Sequence, residues 1–202
     1  MKTILLLLCG LGLTTFALNA SQPISALTMA NLHAAFNGES NAHARYLAYA
    51  KKADRDGYAG VASLFRAAAR AEEIHAGNHA TVIQQFGGVA DAKLEDPVVK
   101  STRENLEAAI KGETYERDEM YPAFIRQAQT ERNPAALRSF TFARAAEVEH
   151  ARLYTLALQE LESMRDSRVF YVCPVCGFTT PQPNFENCPT CATPKERFEQ
   201  VI

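Results

Sequence analysis

The chain has 202 residues, 47% of them hydrophobic and 22% charged, with a formal net charge of −2. That length holds one ordinary domain or two small ones, and the composition is that of a foldable globular chain, not a disordered one. The near-neutral balance lacks the basic excess that nucleic-acid binders carry, so no nucleic-acid partner is expected.

Met1-Lys2-Thr3 sets one positive charge ahead of an apolar stretch from Ile4 to Leu18, and Asn19-Ala20-Ser21 follows. This is the three-part pattern of a secretory signal peptide, with cleavage expected after Ala20. The stretch is shorter than the roughly 20 residues a membrane span needs. Residues 1–20 are therefore read as the leader of an exported, periplasmic protein without stable membrane anchoring.

Residues 21–165 are rich in Ala, Leu, Glu and Arg, with helix punctuation at regular intervals. A first helix is expected from near Thr28 to Asp54, stopped by Asp56-Gly57, and a second from near Tyr58 to Phe86, stopped by Gly87-Gly88. After an irregular crossing segment, Asp96-Pro97 offers an N-cap and a first-turn proline for a third helix reaching Glu131. Asn133-Pro134 repeats that signal for a fourth helix, which runs to about Met164. Four long helices with one longer central connection predict an all-α four-helix bundle with a crossover. Pro122 predicts a kink in the third helix that frees the carbonyl of Asp118.

The two halves of the bundle resemble each other. Gly38-Glu39-Ser40 recurs as Gly112-Glu113-Thr114, and the Glu72…His75 pair recurs as Glu147…His150. In Glu-x-x-His, residues three apart lie on one helix face, so carboxylate and imidazole can grip one ion. Two such motifs, with Glu39 and Glu113 from the other two helices, form the ligand set of a di-iron carboxylate site. Glu116 adds a fifth carboxylate three residues after Glu113. Together Glu39, Glu72, Glu113, Glu116 and Glu147 carry five negative charges into a bundle interior, where unpaired carboxylates cost several kcal/mol each. Two ferrous ions offset four of them, and oxygen ligands with imidazole suit iron or manganese. His43 and His79 lie a turn away from ligands and are read as bundle-end or supporting groups, and His33 as solvated. Glu73, Glu119 and Glu149 face outward by helical spacing. Tyr46 and Tyr121 are placed to hydrogen-bond ligand carboxylates, or simply to pack in the core.

From residue 166 to 202 the chain changes character. Cys173-Pro174-Val175-Cys176 and Cys188-Pro189-Thr190-Cys191 are two Cys-x-x-Cys knuckles, together offering four thiolates to one tetrahedral ion, iron or zinc. Disulfides are the competing use in an exported protein. Tyr171, Phe178, Phe185 and Phe198 are available to wrap the site. So short a segment needs such a staple to fold.

Phe36-Asn37-Gly38-Glu39-Ser40, Gly112-Glu113-Thr114-Tyr115-Glu116, Glu119-Met120-Tyr121-Pro122 and Tyr171-Val172-Cys173-Pro174-Val175-Cys176-Gly177-Phe178 give the chain its resemblance to the rubrerythrins. In that family a ferritin-like di-iron bundle is followed by a rubredoxin-like domain. The resemblance implies a peroxidase that reduces hydrogen peroxide to water, with electrons arriving from an unidentified donor protein through the iron on Cys173, Cys176, Cys188 and Cys191. It implies that one iron moves between Glu116 and His75 with redox state, and that Tyr46 and Tyr121 hydrogen-bond the ligand shell. It also implies a homodimer, head to tail, in which one subunit's tail serves the other's bundle. Ala192 stands where such domains usually have glycine, which predicts local strain. Two other readings compete: a ferroxidase or iron-storing ferritin-like protein, and a structural module stapled by zinc.

Overall fold

The computed structural model describes residues 24–202. The expected leader, residues 1–20, lies outside the described residues. No helix among those described is long and apolar enough to cross a membrane.

Helix α1 spans Ala26–Arg55 and begins at Ser25, whose side chain accepts from the Thr28 amide. Helix α2 spans Ala59–Gln85. The turn between them uses Gly57 at φ 79°, in the left-handed region that glycine enters without steric cost. The two helices pack along each other.

The crossing segment has no regular structure but is tied down. Asn37 and Asn41, one turn apart on α1, accept from the amides of Lys93 and Glu95, and Asn41 also donates to the Lys93 carbonyl. The third helix starts later than the Asp96-Pro97 signal predicts. Ser101 caps α3 (Thr102–Tyr115) in a full capping box with Glu104. Two reciprocal hydrogen bonds at Ser101 outweigh the single cap that Asp96 could offer.

The distortion expected at Pro122 takes a specific form. Residues Glu116–Met120 make a π-helical turn, in which the Tyr121 amide donates to the Glu116 carbonyl, five residues back. Helix α4 (Tyr121–Thr130) resumes with Pro122 in its first turn, where a missing N–H does least harm. Asn133 caps α5 (Pro134–Gln159) by accepting from the Ala136 amide, and a short 3-10 turn, Leu161–Met164, ends it. Helices α3 and α4 together form the third rod of the bundle, lying against α5, and α2 packs on α5.

The apolar interior forms two layers. Tyr46, Leu64, Phe65, Leu106 and Tyr154 anchor one, while Leu32, Ile83, Ala128, Phe140 and Tyr121 anchor the other. Along α1, α2 and α5, the switch from one layer to the other falls at the buried Glu39, at Glu72–His79 and at Glu147–His150. The carboxylates and imidazoles thus form a polar band across an otherwise apolar core.

After Met164 the chain turns to short strands: β1 (Phe170–Val172), β2 (Thr179–Thr180) and β3 (Glu199–Val201). They form an antiparallel sheet in the order β2-β1-β3, with Tyr171 opposite both Thr180 and Gln200. This tail seats on its own bundle through contacts of β1, β2 and β3 with α2 and of β2 with α5. Arg70 on α2 grips Glu199 with two hydrogen bonds, and Asn78 donates to the Val175 carbonyl.

Candidate metal centres

Two overlapping sets of ligand atoms meet in the polar band. One joins Glu39, Glu72, His75 and Glu147, the other Glu72, Glu113, Glu147 and His150, and within each set the atoms lie within 4.8 Å of one another. All six side chains are buried to 1% exposure or less. Glu72 and Glu147 belong to both sets, the position of carboxylates that bridge two ions.

The imidazoles are aimed from outside the band. His75 Nδ1 lies 2.9 Å from Glu72 and 3.1 Å from Glu147, while its Nε2 is 3.1 Å from the Cys176 carbonyl. A carbonyl only accepts, so Nε2 donates to it, while Nδ1 faces the carboxylates and is the nitrogen left to take an ion. His150 repeats the pattern, with Nδ1 2.8 Å from Glu147 and Nε2 3.2 Å from Thr179 Oγ1. Thr179 passes its own proton to the Gly177 carbonyl and so is free to accept. Both bundle histidines are thus oriented by the tail.

Tyr46 donates to Glu113 Oε1 and Tyr121 to Glu39 Oε1. These bonds leave Glu39 Oε2, Glu72 Oε1, Glu113 Oε2 and Glu147 Oε1 buried without any hydrogen-bond partner. Four orphaned carboxylate oxygens in one place are untenable for a protein alone. They fit cations.

The electrostatics agree. Burial, then repulsion from Glu116 and Glu72, pushes the Glu39 carboxyl well above its ordinary range. Burial with Glu72 and Glu113 does the same to Glu147. Glu72 is buried as deeply, yet hydrogen bonds with His150 and His75 pull it below the usual carboxylate range. Divalent ions would supply the missing positive charge.

Glu116 stands outside both ligand sets. It is only half-buried and is the first residue of the π turn. Its Oε1 lies 4.0 Å from where a Cβ on Gly38 would sit, an ordinary contact distance. His75 is inside the first set and Glu116 outside it. Of the outward-facing acids, Glu73 and Glu119 are exposed and Glu149 half-buried. His43 Nδ1 donates to the Ala69 carbonyl, 2.7 Å away, and His33 is half-buried near the start of α1.

The four tail cysteines converge with all sulfurs within 4.8 Å and no disulfide. Sγ of Cys173 lies 3.5 Å from that of Cys191, and Cys176 the same distance from Cys188. The close pairs therefore join opposite knuckles, as the edges of an S4 tetrahedron do. The Cys173 thiol is drawn down to about 5, chiefly by the Cys176 thiol and the Val175 and Cys176 amides, against the effect of burial. Phe178, Phe185, Phe198 and Tyr171 surround the cluster, joined by Phe142 from α5.

Three contributors escaped the sequence reading. Gly177 has φ 74°, and a Cβ there would lie 2.3 Å from His75 Nε2. Thr179 holds His150. Tyr154, buried with its hydroxyl unpartnered, packs edge-on against Tyr46 and tilted against Phe65; its place four residues after His150 was a usable signal. His79, read from the sequence as a bundle-end or supporting group, is fully buried between Tyr121 and Ser139.

The sequence profile of the family described as Rubrerythrin matches residues 30–158. Nigerythrin of Nitratidesulfovibrio vulgaris is 42% identical over 172 residues, covering 85% of each chain. Rubrerythrin-2 of Clostridium acetobutylicum is 37% identical over 180 residues, 87% of this chain and 97% of that one. A solved structure of nigerythrin in its fully reduced, all-ferrous state superposes with a TM-score of 0.81 at 38% identity over 91% of both chains. A bacterioferritin of Mycobacterium tuberculosis shares the bundle fold at TM-score 0.64 and 19% identity, over 70% of this chain and 90% of that one.

Proposed function

The chain belongs to the rubrerythrin family, with a di-iron site in a ferritin-like bundle and an iron bound by four cysteines, and from that premise we propose that it reduces hydrogen peroxide to water. Glu39, Glu72, His75, Glu113, Glu147 and His150 would hold the two irons of the bundle, and Cys173, Cys176, Cys188 and Cys191 the third. Two ferrous ions supply one electron each, matching the two-electron cleavage of an O–O bond, together with Lewis-acid positions for both oxygens.

The protein's own groups do the rest. Tyr46 and Tyr121 hold Glu113 and Glu39 in place by donating to them. Glu116, outside the ligand sets, would offer an ion a carboxylate in place of the His75 imidazole. A hard carboxylate favours the higher charge and a neutral imidazole the lower. His75 is also the link to the electron inlet, since its Nε2 meets the Cys176 carbonyl.

That contact carries the proposal. Storage of iron needs no thiolate centre hydrogen-bonded to a ligand of the bundle site, whereas repeated reduction of peroxide does. A donor protein outside the chain is required to re-reduce the tail. We further propose that the protein forms a homodimer and, on the leader, that it is exported; light scattering and N-terminal sequencing of the native protein, expected to begin near Ser21, test these.

The decisive experiment compares wild type with Cys173→Ser, both with the bundle fully loaded with iron. Single-turnover oxidation by peroxide should be nearly unchanged in the variant, while multiple turnover with a protein donor slows sharply. Equal multiple turnover would remove the tail as inlet. Faster reaction of the reduced wild-type bundle with dioxygen than with peroxide, at equal concentration, would favour the ferroxidase reading.

A further inference from the structure

Glu39 is joined to the surface by a file of hydrogen bonds that no metal ligation requires. Tyr121 donates to Glu39, His79 Nε2 lies 3.1 Å from the Tyr121 oxygen, and Ser139 Oγ lies 2.8 Å from His79 Nδ1. Tyr121 and His79 are fully buried, and Ser139 is 5% exposed. Ser139 borders a cavity of about 360 Å³ between α2, α5 and the tail, where Asn78, Thr81 and Arg138 supply polar walls.

The direction of each bond follows by elimination. A carboxylate that binds a metal has no proton to give, so Tyr121 donates to it. The Tyr121 oxygen then accepts from His79, which fixes a proton on Nε2. A neutral imidazole carries one N–H, here given to Tyr121, so Nδ1 is a bare lone pair and Ser139 donates to it; Nε2 also lies 4.0 Å from Glu39 Oε1. Three donors in series therefore point from the cavity to Glu39. The His79 ring, stacked against Tyr121 and packed on Phe140 at 6.0 and 5.6 Å between centroids, occupies a slot an apolar side chain would fill as well. Packing alone does not call for an imidazole there.

We propose that Ser139, His79 and Tyr121 form a proton inlet from the cavity to the Glu39 edge of the bundle centre. The inference rests on the peroxidase reading, in which peroxide, two electrons and two protons become two waters. In one passage a solvent proton joins the Ser139 oxygen as the Ser139 proton moves to His79 Nδ1. The Nε2 proton moves to the Tyr121 oxygen, and the Tyr121 proton leaves toward Glu39. One proton enters and one emerges, so no group in the file keeps a charge; His79 is left protonated on Nδ1 and returns to the Nε2 tautomer before the second proton follows. An imidazole suits this role because it accepts at one nitrogen while releasing at the other. Protons would thus arrive through α4 and Glu39, and electrons through the tail and His75.

Two readouts test the inlet. In the full-length protein loaded with redox-inert zinc, long-range ¹H–¹⁵N correlation should show His79 protonated on Nε2 and bare on Nδ1. A ring protonated on Nδ1 reverses the file and overturns the proposal. In the iron-loaded protein, His79→Gln keeps a donor and an acceptor but cannot relay a proton between two nitrogens. At wild-type iron content and visible spectrum, its single-turnover oxidation by peroxide should slow about tenfold or more, with a changed solvent deuterium isotope effect. Ser139→Ala should slow it in the same sense, and Ser139→Thr should restore it. Wild-type rates in both H79Q and S139A would overturn the inlet. A wild-type protein inert to peroxide would instead sink the peroxidase reading, and the same variants compared with dioxygen as oxidant would then decide the inlet.

Discussion

Gly177 and Ala192 occupy the same left-handed backbone region, at φ 74° and 60°, with opposite consequences. At Gly177 the conformation is free, and the missing side chain lets the knuckle approach His75. Gly177→Ala would add backbone strain of about 1–2 kcal/mol and drive a methyl group into His75 Nε2, which the structure gives only 2.3 Å. The variant should keep its cysteine-bound iron but lose rapid electron transfer to the bundle, measurable by stopped-flow reduction of the diferric centre. Ala192 bears the strain directly. Ala192→Gly relieves about 1–2 kcal/mol in the folded tail and gives back about 0.4–1 kcal/mol through a freer unfolded chain. A net gain of about 1 kcal/mol should appear as a higher denaturant midpoint for loss of the thiolate-to-iron colour. The strain at Ala192 was legible because the position after a knuckle cysteine has a fixed backbone demand. The role of Gly177 was not, since it depends on a histidine 102 residues away in sequence, which only the docked tail brings near.

At the scale of elements, helix ends and periodicity carried most of the fold. The i, i+3 spacing of Glu72–His75 and Glu147–His150 announced the polar band before any coordinates, because helical geometry fixes which side chains share a face. The start of α3 was misread for a physical reason: Asp96-Pro97 and Ser101-x-x-Glu104 are both valid start signals, and only the second satisfies two amides at once. Ser101→Ala should therefore cost about 1 kcal/mol of stability, while Asp96→Ala should cost nearly nothing, as chemical denaturation would show. The π turn was foreshadowed by Pro122 but not located by it. Glu116 and Tyr121 lie five residues apart, about 140° apart around a regular α-helix. The wider turn brings them closer to one face. No composition or propensity signal distinguishes that turn from ordinary helix.

For the whole molecule, the tail is both a domain and a wall of the bundle site. It supplies the acceptors for Nε2 of His75 and of His150. Ending the chain after residue 165 should leave the helical circular dichroism nearly intact while weakening iron binding in the bundle about 10–100-fold, as loss of supporting hydrogen bonds does elsewhere; chelator competition measures this. The rim contacts matter less. Arg70 holds the Glu199 carboxyl below its ordinary range, chiefly through their hydrogen bonds. A lowered carboxyl contributes stability above the unfolded value, about 4.3, and loses it as pH falls through the folded value. Both side chains are over a third exposed or close to it, so Glu199→Gln should cost under about 1 kcal/mol at pH 7. That cost should begin to shrink as pH falls below the unfolded value and be gone once the folded carboxyl is protonated, as pH-dependent melts would show. None of this docking was readable from the chain, which shows two metal-binding segments and not the surface between them.

The seating of the tail on its own bundle means that the electron path proposed above, from thiolates to carboxylates, would lie within one polypeptide. Specific activity should then be independent of dilution, even where dilution separates any dimer. Genetics offers a sharper form of the same consequence. A chain lacking Cys173 and a chain lacking Glu72, co-expressed in one cell, should fail to complement each other, whereas subunits that exchanged their tails would assemble one working centre from two broken parents.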